Sequence, residues 1–88
     1  MEKIRIDLVR LKTEEDALKR FGRLKGMPAD YNSELEELRG ILQAWDKPLK
    51  IEIVIGGNIG PFTKLMEMLE NVRTTNNNLL FVVIMYMA

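Results

Sequence analysis

The chain has 88 residues, of which 47% are hydrophobic and 30% charged, with 13 basic and 13 acidic side chains and neither cysteine nor histidine. This excludes disulfides, thiolate nucleophiles, imidazole bases and the common zinc arrangements. The length fits a single domain, residues 1–88, around one core, and the mixed composition is that of a soluble globular protein, expected in the cytoplasm with no signal sequence and no membrane span.

In chain order, Ile4, Ile6 and Leu8 alternate with Lys3, Arg5 and Asp7, the period of a half-buried strand. Thr13 then precedes Glu14, Glu15 and Asp16, which predicts a capped helix with its acids at the positive end of the dipole. Ala17, Leu18, Phe21 and Leu24 carry that helix to about residue 25, with Gly26 as a left-handed stop. A second helix is expected to start at Asn32 or Ser33, with Ser33 and Glu36 forming a capping box, and to run to about Ala44 with Leu35, Leu38, Ile41 and Leu42 as its apolar stripe.

Residues 49–55 alternate again, with Leu49, Ile51, Ile53 and Ile55 against Lys50, Glu52 and Val54. Gly56, Gly57 and Gly60 match neither a dinucleotide fingerprint nor a Walker loop and read as a turn. Pro61 suits the first position of a third helix, buried through Phe62, Leu65, Met68 or Leu69, and Val72. Residues 74–78 read as a polar loop. Residues 79–87 are apolar at nearly every position, as in a strand covered on both faces or lying against a partner. If it lies at a sheet edge, pairing into a homodimer is an alternative to cover by the third helix and the chain ends. Strand, helix, helix, strand, helix, strand gives the fold class α/β: a two-layer domain in which the helices pack on one face of a three-stranded parallel sheet.

Charge is unevenly spread. Residues 27–46 hold Asp30, Glu34, Glu36, Glu37 and Asp46 against Arg39 alone, a local charge of minus four, whereas residues 1–26 hold eight bases and five acids. Such asymmetry bears on partners rather than on fold. An acidic helix suits a basic cleft, and the competing reading is a solvated face with acids near a helix N-terminus. Lys19, Arg20, Arg23 and Lys25 form a basic surface with no interleaved aromatics, read as solvated rather than as a nucleic-acid site. The carboxylates form no pair across an evident cleft, so the chain reads as a binding protein and not an enzyme.

Residues 27–49 contain Met27-Pro28, Asp30-Tyr31, a capped helix with Leu35, Leu38 and Leu42, then Ala44-Trp45 and Pro48-Leu49. This stretch resembles the barstar family of ribonuclease inhibitors, the likeness being looser along the rest of the chain. The resemblance implies the same three-stranded parallel sheet, and a loop and second helix that plug a ribonuclease active site with acids in place of RNA phosphates. It implies a partner-binding set of Asp30, Tyr31, Glu34, Glu36, Glu37, Arg39, Gly40, Gln43 and Trp45, and a basic ribonuclease as partner. No cofactor, metal, membrane or direct nucleic-acid contact is implied. Tyr31 matches a tyrosine of the family's binding loop, Glu36 an interface aspartate, and Trp45 the tryptophan after the helix. Gly40 stands where the family's deepest-inserting aspartate would be, Arg39 at an interface tryptophan, Asp30 at a tyrosine, and neutral Asn71 and Thr75 near the acids of the last helix. The alternative is an interaction module of this fold that no longer binds a nuclease.

Overall fold

The computed structural model describes residues 1–87; the last residue of the apolar C-terminal run, Ala88, lies outside them. Three strands, β1 (Glu2–Asp7), β2 (Leu49–Ile55) and β3 (Leu79–Met85), form one parallel sheet in the order β1-β2-β3. Helices α1 (Glu14–Phe21) and α2 (Leu35–Gln43) connect the first two strands, and α3 (Thr63–Thr75) connects the last two. Parallel neighbours require such crossovers, because a tight turn cannot return the chain in the same direction.

The expected alternation sets the layers. Ile4, Ile6, Leu49, Ile51 and Ile53 meet Leu18, Phe21, Leu38, Leu42, Leu65 and Val72 in one buried cluster, so the three helices share one face of the sheet. The other face carries Lys3 and Arg5 from β1, Lys50 and Glu52 from β2, and Leu80, Val82 and Ile84 from β3. Among the described residues, no helix is long and apolar enough to cross a membrane.

Helix ends depart from the sequence expectation. Thr13 does cap α1, its hydroxyl accepting the Asp16 N–H at 3.2 Å. However, α1 stops at Phe21 instead of about residue 25. Beyond Phe21 the backbone tightens: Gly22, Arg23 and Leu24 donate to Lys19, Arg20 and Phe21, three residues back. Leu24 stays buried in this tighter turn, so the apolar spacing outlasts the α-helix itself. Gly26 takes the left-handed conformation expected of it, at φ 96°. Ser33 does not cap α2; it is left-handed itself, at φ 60°, and Glu34 fills the cap position without a side-chain bond. The reciprocal contact is shifted instead, with the Asn32 N–H donating to Glu37 Oε1 at 2.8 Å.

Pro61 sits in a short 3₁₀ turn, Gly60–Phe62, that leads into α3. The free N–H of Leu65 in the first turn of α3 donates to Glu14 Oε2 at 2.9 Å, so a carboxylate of the chain itself occupies the helix end beside the glycine-rich turn. Helix α3 also absorbs Thr74 and Thr75, predicted as loop; their hydroxyls donate to Asn71 and Val72 carbonyls one turn back.

Strand β3 lies at the sheet edge and is not covered on both faces. The core takes Leu79 and packs against Phe81, whereas Leu80, Val83 and Met85 stay 49%, 53% and 60% exposed. The helix layer spans β1, β2 and only the start of β3.

Candidate functional site

The acidic segment is a loop and a helix with a fixed backbone. Tyr31 N–H donates to the Pro28 carbonyl at 3.1 Å, and the Tyr31 hydroxyl donates to the Leu18 carbonyl of α1 at 2.7 Å. Its ring lies against Gly22, where an added Cβ would stand 3.5 Å from it. Half-burial, and then the nearby Glu37 charge, push the Tyr31 phenol up to about 12 from the usual 10.0. Tyr31 therefore ties the loop to α1 as a neutral hydrogen-bond donor, with its ring packed against the core.

Along α2, Leu38 and Leu42 face inward, while Glu36, Gly40 and Gln43 share the outward face. Glu36 pairs with Arg39 at 3.2 Å, and Arg39 also donates to Asn71 Oδ1 of α3 at 2.8 Å. Arg39 thus bridges two helices. Gly40 meets nothing within 4 Å of where a Cβ would be, so the centre of this face is bare backbone. Asp30 and Glu34 are exposed on the loop side and Asp46 beyond the helix; among the described residues, none of the three joins an ion pair within the chain. The sequence-derived set therefore divides. Asp30, Glu34, Glu36, Gly40 and Gln43 are presented outward, whereas Tyr31, Glu37, Arg39 and Trp45 are at least partly committed to holding the scaffold.

Trp45 is half-buried and packs against the core, its ring edge 3.7 Å from where a Cβ on Gly26 would lie. Its indole Nε1 is buried with no hydrogen-bond partner. A shallow cleft of about 330 Å³ runs beside it, flanked by Lys25, Pro28, Ile41, Asp46 and Lys47. Its lining combines both signs of charge with the apolar side chains of Pro28, Ile41, Ala44 and Trp45. Among the described residues, no cluster of three His, Cys, Asp or Glu is placed to hold a metal ion.

One residue that organises this region escapes local sequence reasoning. Asn76, read as loop, is buried at the end of α3. Its Nδ2 donates to the carbonyls of Leu42 at 2.8 Å and Trp45 at 2.9 Å, while its Oδ1 accepts the Asn78 N–H at 2.9 Å. These bonds join those that the Leu42 carbonyl accepts from the Trp45 N–H and the Trp45 carbonyl accepts from the Asn78 side-chain amide, both at 3.2 Å, and tie the end of α3 to the segment that follows α2. No protein-family model matches the chain, and no match was found among the curated proteins.

Proposed function

We propose that the chain is a stoichiometric binding protein that offers its acidic loop and α2 to the basic cleft of a partner enzyme, with a ribonuclease as the partner class. One observation supports this reading most directly: Asp30, Glu34 and Glu36 stand outward on a backbone braced by the Tyr31 to Leu18 and Asn32 to Glu37 bonds. A braced surface loses little conformational freedom on binding, and complementary charge speeds encounter and sets orientation. Inhibition then follows from occlusion and needs no chemistry from the chain.

Titrating the chain into basic microbial ribonucleases tests this. Activity is expected to fall to zero at equimolar inhibitor, and association is expected to slow as salt rises. Replacing Asp30 by Asn, Glu34 by Gln and Glu36 by Gln together is expected to slow association by about tenfold or more at low salt. Full ribonuclease activity at excess inhibitor, or association indifferent to these three changes, overturns the reading.

The bare backbone at Gly40 favours a second reading, an interaction module of the same shape whose partner is not a nuclease. Gly40→Asp separates the two. On the ribonuclease reading, the added acid enters open space at the centre of the face and tightens the complex; on the second reading it brings no nuclease affinity.

A further inference from the structure

We propose that β3 pairs with β3 of a second copy of this chain, antiparallel and across a twofold axis at Val82, to make one continuous six-stranded sheet. This surface is separate from the acidic loop and α2, and the proposal does not depend on the ribonuclease reading.

The backbone defines the kind of partner. The Asn78 carbonyl accepts from Leu49, and Tyr86 N–H donates to Ile55, so even-numbered residues of this strand turn their backbone groups toward β2. Strand alternation then turns the N–H and C=O of Phe81, Val83 and Met85 outward from the sheet edge. Such a row of groups is a template for another strand.

The side chains select a second copy. Symmetry sets like against like near the axis, so a charged edge repels itself, and residues 79–87 contain no charge. The opposite edge, β1, carries Lys3, Arg5 and Asp7. Full overlap of Leu79–Met85 with itself places Val82 opposite Val82 and Phe81 opposite Val83 of the second copy. The outward groups of Phe81 and Val83 then exchange both hydrogen bonds, and every cross-strand pair is apolar. The arrangement closes after two copies, because each uses its only uncharged edge.

The exposed surface is of the right size. Leu80, Val83, Met85 and Tyr86 each leave about half of their area in water, and Met87 leaves most of its own. Within the paired segment, Leu80 on the outer face and Val83 and Met85 on the helix face supply on the order of 300 Å² of exposed apolar area per copy, the scale of a functional surface patch, whose flanks the pairing covers together with the outward backbone row.

Sedimentation velocity over a concentration series, with engineered cysteines as a register test, decides the matter. The parent chain is expected to be dimeric at micromolar concentration. Val83→Lys is expected to remove the dimer while leaving the far-UV circular dichroism and the cooperative melt in place, because Val83 is exposed in the single chain. Val83 lies diagonally across from its copy, so an equimolar mixture of Val83→Lys and Val83→Glu is expected to restore the dimer. In a chain without cysteine, Val82→Cys is expected to cross-link to itself on mild oxidation, since directly opposed Cα atoms about 4.5 Å apart fall within disulfide range. Leu80→Cys is not expected to do so, because its copy lies about 13 Å along the strand. A parent chain that stays monomeric at its highest soluble concentration, a Val83→Lys variant that stays dimeric, or equal cross-linking at both positions overturns the proposal.

Discussion

Two side chains that make no outward contact decide whether the acidic surface keeps its shape. Asn76 is the first. Its buried amide donates to the Leu42 and Trp45 carbonyls; Asn76→Ala leaves the first with the Trp45 N–H and the second with the Asn78 side-chain amide, and is expected to cost roughly 1–2 kcal/mol, read as a drop in the urea midpoint. Asn76→Asp is the sharper test. A carboxylate facing carbonyl oxygens in a buried site is disfavoured in its charged form, so this variant is expected to gain stability as pH falls and its carboxyl takes up a proton. Tyr31 is the second. Its phenol lies at about 12 in the folded chain against 10.0 as the ordinary value, so folding favours the protonated form. That stability is complete below pH 10 and is lost as pH rises through 10 toward 12. Alkaline melts are expected to show this loss, and Tyr31→Phe is expected to flatten it at the expense of the bond to Leu18.

At the level of elements, period carried most of the architecture and hydrogen-bond geometry carried what period missed. Alternation at Ile4, Ile6, Leu49, Ile51 and Ile53, and helical spacing at Leu38, Leu42, Leu65 and Val72, placed the strands and faces because burial itself has those periods. Helix ends were less legible. The residues after Phe21 keep an apolar spacing while their bonds tighten by one residue, and Ser33 spends a good capping side chain in a left-handed turn. Asn76 could not be read locally either, since its partner Leu42 lies 34 positions away. In the candidate site, the outward acids were legible as a charge cluster, whereas the inward commitments of Tyr31 and Arg39 depend on α1 and α3. Gly40 supplies an element-scale prediction. Its Cβ position is open, so Gly40→Ala is expected to stabilise α2 by about 1 kcal/mol. A higher melting temperature with partner affinity unchanged assigns Gly40 no contact; a higher melting temperature with weaker binding assigns close backbone approach.

Across the whole molecule, a neutral total hides three separate surfaces: an acidic loop and α2, an uncharged β3 edge, and an outer sheet face with a cationic half. Glu52 anchors that last face. It is the only charged residue that is buried among the described residues, because β2 is the central strand and both neighbours crowd it. Arg5 donates to it at 3.2 Å, and Lys3 and Lys50 lie at 3.8 and 3.7 Å. Loss of water around the carboxyl pushes its pKa up, but the Arg5 hydrogen bond and the charges of Lys3, Arg5 and Lys50 together outweigh this and hold it below 4.5. A carboxyl depressed in the folded state binds its proton more readily when unfolded. Its contribution is therefore present above the unfolded value and fades as pH falls through the folded one. Lys3 and Arg5 remain largely in solvent and Lys50 about one-third so, which limits the size of the effect. Glu52→Gln keeps the shape and removes the charge, leaving Lys3, Arg5 and Lys50 to repel one another across β1 and β2. The variant is expected to be less stable than the parent at neutral pH, and added salt is expected to recover part of the difference by screening the cations. The two urea midpoints are expected to converge at acid pH, once the parent carboxyl is protonated. A gap that stays constant from neutral to acid pH assigns the loss to the amide's fit within the sheet rather than to the carboxylate's charge.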